Sequence, residues 1–430
     1  MKKKTWYPLD NAAKLYPAIS GPRRPNLFSY SVRLTENVDK NLLEKAVNML
    51  LENNPAFKVK LRRGIFWYYL EKNYKPFVVK EEIPNYLGYF DFDEENNGYL
   101  FRVFYKYNKI SIVNFHALSD GDGILSFFKS IIAMYLSLKG YKIDSENLIK
   151  PLDAPYTNAN SEDSFNKEYL KKCKKPEKEK KAFKVDGTPF DYDGYGIITA
   201  KIDLEGLKTL CKTYNATITE YLVGLYMYTA YNVYVRNKKV KNKLISILVP
   251  ANMRKRYNSA TLRNFSLFIR PKHDFGVKEL NLEECIETCK KQMKEGLSKE
   301  RLDALIHDNV KVEKNFFMKI VPLFIKDAVI RMVYNYVGEN LQTGNISNIG
   351  IVELPQSMQK YVTDFTMAIA PTYTCKQQLG AITYNGNLYI TSAREFVETN
   401  FEREFFTTLS KNNVHVEIFS NNWEAKNETL

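Results

Sequence analysis

From Phe28 to Leu34 apolar and polar residues alternate, and a period of two predicts a half-buried strand. The period then lengthens. Leu42, Leu43, Ala46, Val47, Leu50 and Leu51 fall on one helical face behind Asp39, which stands in the N-cap position of a predicted helix. Phe57 to Leu61, a turn at Arg63-Gly64, and Phe66 to Leu70 predict a hairpin. A second hairpin is predicted from Tyr99 to Tyr107 and from Lys109 to Phe115, turning at Asn108. The apolar stretch from Ile124 to Leu138 predicts the helix that follows.

Between about Leu152 and Tyr195 the periodicity fades and Pro, Asn, Ser, Asp and Lys dominate, which suits a crossover linker. Beyond it a strand is expected over Gly196–Ile202 and a helix from Thr217 to about Val235. Strands follow at Leu244–Val249 and Asn264–Pro271, then helices at about Leu280–Glu300 and Asn315–Val337. Strands return at Phe365–Ala370, Gln378–Thr383 and Leu388–Ser392, and a last helix runs from Glu398 to about Leu409. Two stretches of mixed strands and helices predict two α/β sandwiches of similar build, divided as residues 1–185 and 186–430. The 430 residues fit two domains of roughly 200 residues each. A hydrophobic fraction of 44% can bury a large core and argues against disorder over most of the length.

Charge changes this picture little. The net charge is +14, which raises nucleic-acid binding. Much of the excess, however, sits in the Lys171–Lys181 run, which reads as a solvated loop, and no zinc-finger, RNA-recognition or helix-turn-helix signature accompanies it. The remainder suits an anionic partner such as coenzyme A phosphates or an acidic carrier protein. Five cysteines, none in a Cys-x-x-Cys pair, read as reduced thiols in a cytoplasmic protein. Cys285 and Cys289 share a helical face with no histidine near them in sequence, so no metal site is expected. Lys2-Lys3-Lys4 lack a following apolar region, and no run of about 18 apolar residues predicts a transmembrane helix.

The chemistry concentrates at His116-Ala117-Leu118-Ser119-Asp120-Gly121, where a predicted strand ends and a helix begins. A neutral imidazole is well suited to take a proton near pH 7, provided it is held in one tautomer and orientation. Asp120 can anchor the turn by pairing with an arginine, and Gly121 supplies backbone freedom and close approach. The combination suits deprotonation of a hydroxyl or amine as it attacks a carbonyl. Of the other histidines, His273 also has an aspartate and a glycine close behind it, but no predicted strand leads into it.

His116 to Gly121 resembles the HxxxDG motif of the chloramphenicol acetyltransferase-like and condensation-domain superfamily. Further segments carry the resemblance along the chain. Tyr7-Pro8-Leu9-Asp10-Asn11-Ala12-Ala13-Lys14 looks like the opening of bacterial alcohol acetyltransferase-type members. Pro250-Ala251-Asn252-Met253-Arg254 with Leu262-Arg263-Asn264-Phe265, and Ile346-Ser347-Asn348-Ile349-Gly350, look like two more of their segments. The resemblance implies two chloramphenicol acetyltransferase-like α/β sandwich subdomains, with mixed sheets and a tunnel between them. It implies His116 as general base, with Asp120 bracing the loop through Arg254, or Arg263 as second choice. Ser347 or Asn348 would meet the oxyanion. No cofactor would be permanently bound. Acetyl-CoA or another acyl-CoA would be co-substrate, and the acyl group would pass directly to an alcohol or lipid-like acceptor. The alternatives are transfer from an acyl carrier protein's phosphopantetheine to a lipid, glycolipid or peptide, and a non-catalytic module that binds a carrier or lipid. Condensation domains usually carry a second histidine where this chain has Phe115, which moves the expectation from peptide condensation towards simple acyl transfer.

Other features are weighed the same way. Phe316 to Val333 is nearly continuously apolar and reads first as a buried or capping helix pair with snorkelling lysines. Lining an acyl tunnel or making peripheral membrane contact are its alternatives. Cys375 lacks an evident base, Asp274-Phe275-Gly276 reads as a turn, and Gly121-Asp122-Gly123 is too short to cradle phosphates.

Overall fold

The computed structural model describes residues 6–150, 157–173, 178–336 and 338–423. Its architecture is mixed α/β in two layered halves. The first half is built on a five-stranded sheet in the order Val362–Ile369, Leu27–Leu34, Lys109–Phe115, Phe101–Lys106, Lys80–Glu81. The pairing is antiparallel except at the last step. Tyr30, Val32 and Leu34 are buried, as are Leu43, Val47 and Leu50 of the helix Lys40–Asn53 and Ile124, Phe128 and Ile131 of the helix Gly121–Leu138. These residues belong to one apolar core. Alternating with them, Ser31 and Ser111 join hydroxyls across neighbouring strands at 2.8 Å. Asp39 caps the first of these helices through the backbone N–H groups of Asn41 and Leu42. Gly121–Leu138 is apolar enough to cross a membrane by length and composition, but it is the core helix of this half, with 67% of it buried.

The second half centres on a larger sheet, ordered Ser266–Ile269, Leu244–Asn252, Gly344–Ile351, Gln377–Tyr384, Asn387–Arg394, Gly196–Asp203, Val416–Ser420. Lys272–Asp274 pairs beside the first of these on Leu244–Asn252. Gly344–Ile351 runs parallel to both neighbours, so the sheet is mixed. The helices Ile218–Tyr234, Leu282–Gly296 and Asn400–Lys411 share its core. A small third sheet joins Trp6–Pro8, Tyr68–Lys72 and Val59–Arg63.

The strand Val362–Ile369 belongs to the late part of the chain yet pairs with Leu27–Leu34, from Val362 opposite Leu34 to Ile369 opposite Phe28. A cut at residue 185 therefore leaves one strand of the first sheet on the far side. The two sheets also touch there. A Cβ on Gly380, in the second sheet, would lie 2.7 Å from the Met367 carbonyl oxygen in the first.

Several elements differ from the sequence expectation, each for a local reason. The expected helix over Asn315–Val337 is two helices, Phe316–Ile320 and Leu323–Tyr336, broken where Pro322 cannot donate (Val337 lies outside the described residues). They are not a buried pair: their apolar side chains are largely exposed. The expected strand Asn264–Pro271 shortens to Ser266–Ile269, because the backbone N–H groups of Asn264 and Phe265 bond the carboxylates of Asp10 and Asp120 instead. His273 does lie on a strand, Lys272–Asp274, with its ring bonded to the Lys278 carbonyl. The helices Leu204–Thr213 and Lys299–Lys314 and the strand Val416–Ser420 were not anticipated. Within the expected linker, residues 152–156 and 174–177 lie outside the described residues. The part from 157 to 167 contains two short helices, Asn158–Ser161 and Ser164–Lys167.

Because Gly380 sits where the sheets touch, Gly380→Ala is expected to cost about 1–3 kcal/mol through overpacking. A denaturant midpoint equal to that of the parent chain would show that the two sheets do not constrain each other there.

Candidate active site

His116 is the first residue beyond the strand Lys109–Phe115, and its backbone N–H donates to the Asn26 carbonyl at 3.1 Å. Its ring is held on three sides. Tyr16 stacks on it at 4.6 Å between ring centres, Phe28 meets it edge-on at 5.1 Å, and Nδ1 lies 3.0 Å from Asn264 Oδ1. Asn264 is oriented in turn: its Nδ2 donates to Asp10 Oδ2 at 3.0 Å, and its backbone N–H to the same oxygen at 3.2 Å. A carboxylate only accepts, so the Asn264 amide must turn its NH2 to Asp10 and its oxygen to the imidazole. The proton of neutral His116 is then on Nδ1, and the lone pair is on Nε2. Burial pulls the His116 pKa below its ordinary 6.5, outweighing the opposing pull of Asp120, Asn264 and its own backbone carbonyl. The ring is therefore a neutral base at pH 7. Burial, then the charge of Asp163, lifts Asp10 to about 6, against the hydrogen bonds from Asn264 and the Ala13 N–H.

Asp120 is 1% exposed and does not touch the imidazole by hydrogen bond. It caps the helix Gly121–Leu138 by accepting from the Gly123 N–H at 3.1 Å. Arg254 grips it with two prongs, Nη2 to Oδ1 at 2.7 Å and Nη1 to Oδ2 at 3.0 Å. The Phe265 N–H and the Ser266 hydroxyl add bonds to Oδ2 at 2.8 and 2.9 Å. Burial would raise the Asp120 pKa, but Arg254 and the backbone donors outweigh it and hold the carboxyl below the usual carboxylate range. Arg254 spends its other donors on the carbonyls of Thr261 and Arg263 and on Asn252 Oδ1. Arg263 reaches the Leu118 carbonyl at 3.1 Å, and the Ser119 hydroxyl reaches the Leu262 carbonyl at 2.6 Å. Segment 261–266 of the second half is thus bolted to the turn after His116, and this places Asn264 beside the ring. The former linker helps: the Leu262 N–H bonds the Asn160 carbonyl, and the Thr261 hydroxyl bonds that of Glu162.

The glycines serve close approach. A Cβ on Gly121 would meet the Tyr30 hydroxyl at 2.9 Å and Ile349 at 3.0 Å, and Gly121 is not among the positive-φ glycines. Gly123 is tighter still, since a Cβ there would overlap the Leu262 carbonyl oxygen and the Ser119 hydroxyl. The structure gathers His116, Asp120, Gly121 and Arg254 in one place. Ser347 and Asn348 stand on the strand Gly344–Ile351 without a hydrogen bond to that group. Asn348 donates instead to the Thr219 hydroxyl at 3.0 Å and accepts from the Gly350 N–H. Burial pushes the Cys375 thiol up to about 12, so it is not a nucleophile at neutral pH. Tyr16 and Phe28 carried no signal in the sequence. Asp10 and Asn264 stood inside resembling segments, but nothing along the chain joins residues 10, 116 and 264.

A cleft of about 740 Å³ lies between the two sheets, lined by Ser31, Arg33 and Lys109 from one and by Thr199, Lys201 and Tyr389 from the other. His116 is not among its lining residues. The cleft runs along the first sheet from Lys109 to Ala368, whose strand partner Ser29 lies opposite Val113, three residues before His116.

No family model and no curated protein matches the chain. Solved structures do. Polyketide synthase associated protein 5 from Mycobacterium tuberculosis superposes with a TM-score of 0.61 at 12% identity, over 94% of this chain and 96% of that one. The chain has the fold of that protein. Trichothecene 15-O-acetyltransferase TRI3 from Fusarium sporotrichioides shares it at 0.58 and 10% identity, over 94% and 93% of the two chains. TRI101 of F. graminearum, solved with coenzyme A and T-2 mycotoxin, shares it at 0.61 and 8% identity, over 96% and 100%. The expectation of two α/β sandwich subdomains is met in the fold that the chain shares with these structures.

Removing Arg254 strands a buried carboxylate. Arg254→Ala is expected to lose about 3–5 kcal/mol of stability, and Arg254→Lys to recover only part of it because a lysine cannot make the two-pronged contact. Calorimetric unfolding of both variants reads this; near-parental stability in either would remove the pair from its bracing role.

Proposed function

We propose that this chain is an O-acyltransferase that moves an acyl group, most simply acetyl, from a coenzyme A thioester to an alcohol hydroxyl. The observation that carries the reading is the imidazole of His116, neutral, fixed in its Nδ1–H tautomer, and with its Nε2 lone pair uncommitted among the described residues. Nε2 takes the hydroxyl proton as the alcohol oxygen attacks the thioester carbonyl. The tetrahedral intermediate collapses, the carbon–sulfur bond breaks, and the imidazolium returns its proton to the departing sulfur. No covalent enzyme intermediate is needed. Asp120 and Arg254 hold the turn, and Asn264 with Asp10 holds the ring. The oxyanion donor belongs to the same proposal, with Ser347 the candidate whose hydroxyl has no hydrogen bond among the described residues and Asn348 the weaker one, since its amide is used by Thr219. The two acetyltransferase folds above support the coenzyme A donor. The polyketide-synthase-associated neighbour supports a second reading, in which the thioester arrives on a carrier protein. A cytoplasmic location accords with the reduced thiols and is part of this proposal.

His116→Ala is expected to lower thiol release from acetyl-CoA with an alcohol panel by about 10²–10⁴-fold; full turnover in that variant would dismiss the base assignment. Activity on carrier-bound donor alone would favour the second reading. In the parent chain, activity falls as the imidazole gains a proton, so the acid limb of kcat/KM should lie below 6.5. Asn264→Ala removes an acceptor that favours the protonated ring. It should move that limb to still lower pH and cut the rate about tenfold; an unmoved limb would leave Asn264 a packing residue.

A further inference from the structure

The helices Phe316–Ile320 and Leu323–Tyr336 are amphipathic with the wrong face inward for a soluble core. Lys326 and Asp327 are buried, the lysine donating to the Phe66 carbonyl at 2.7 Å and lying over the Trp67 ring, the aspartate accepting from the Tyr68 hydroxyl at 2.8 Å. Ile325, Val329, Met332 and Tyr336 recur at helical spacing and face outward. Phe317 is 71% exposed, Met332 65% and Phe324 64%. The patch continues onto the hairpin loop at Ile65 and Phe66, because the Leu323 N–H bonds the Ile65 carbonyl and Ile65 is 75% exposed. Contiguous apolar surface on this scale marks an interaction face rather than scattered exposed side chains.

We propose that this face docks the protein onto a membrane bearing anionic headgroups. Charge chooses the occupant. Residues 311–336 carry five lysines and arginines against two acids. Both acids are turned inward to partners, Glu313 to Lys14 and Asn11, and Asp327 to Tyr68 and Arg63. Lys311, Lys314 and Lys319 remain exposed beside the phenylalanines, which is the arrangement of an interfacial helix on an acidic bilayer. The face is also close to the chemistry. Leu323–Tyr336 packs against Tyr16–Ile19, with Arg331 Nε bonded to the Ala18 carbonyl, and Tyr16 is the ring stacked on His116. A docked bilayer would therefore lie one short helix away from the imidazole. That juxtaposition suits a lipid-like acceptor; this last point rests on the acyl-transfer reading, whereas docking does not.

The test is flotation of the full chain with vesicles of phosphatidylcholine, alone or with about 30% phosphatidylglycerol. The chain should float with the anionic vesicles, and added salt should weaken the association. Phe317→Ser with Met332→Ser should cut partitioning about tenfold or more at an unchanged thermal midpoint. A parent chain that stays unbound at every lipid composition would overturn the proposal, as would a double variant that floats like the parent. So would light scattering that shows a dimer which the double variant converts to a monomer, since the face would then belong to a second copy. None of these readouts needs turnover, so they separate a failure of docking from a failure of the catalytic assignment.

Discussion

The buried pair between Asp120 and Arg254 is the contact on which the site depends. A carboxylate that is 1% exposed is tenable only because the Arg254 guanidinium, two backbone N–H groups and one hydroxyl converge on it. The partners come from both halves: Gly123 from the first, and Arg254, Phe265 and Ser266 from the second. One charge thus fixes how the segment 261–266 meets the turn after His116. Since Asn264 lies in that segment, the orientation of the imidazole is set by a charge that never touches it.

Two carboxylates near His116 divide the work by environment. Asp120 is matched by a guanidinium and stays ionised. Asp10 is lifted to about 6 by burial and by Asp163, against the hydrogen bonds of Asn264 and Ala13 and the charge of Arg263, yet at neutral pH it still accepts the Asn264 amide. The first acts on the backbone and the second on the tautomer. Tyr16 and Phe28 close two faces of the ring, so the exposed reactivity is confined to Nε2.

The outward apolar face obeys the same accounting of buried polar groups. The helix Leu323–Tyr336 turns Lys326 and Asp327 inward because each finds a fixed partner there, Phe66 and Tyr68 respectively. Its apolar side chains are left facing outward. Periodicity finds an apolar stripe but not which way it faces; here the inward anchors decide.

Most strands of the two sheets, the Asp39-capped helix and the turn from His116 to Gly121 were legible along the chain, because local period, capping and turn chemistry act over a few residues. The resemblance of short segments also brought Arg254 to Asp120, where the structure places it with a two-pronged contact. Other features could not be read in that way. Val362–Ile369 joins the first sheet across more than 300 residues, since strand pairing over such distances is chosen by which edge is open, not by the strand's own pattern. The trimming of Asn264–Pro271 followed from two distant carboxylates taking its N–H groups. The line from Asp10 through Asn264 to His116 is likewise a matter of approach in space. The sequence by itself determined that one histidine is mounted between a strand and a helix. The tertiary structure alone decided which nitrogen holds its proton, because hydrogen-bond direction is settled by partners that only folding brings within 3 Å.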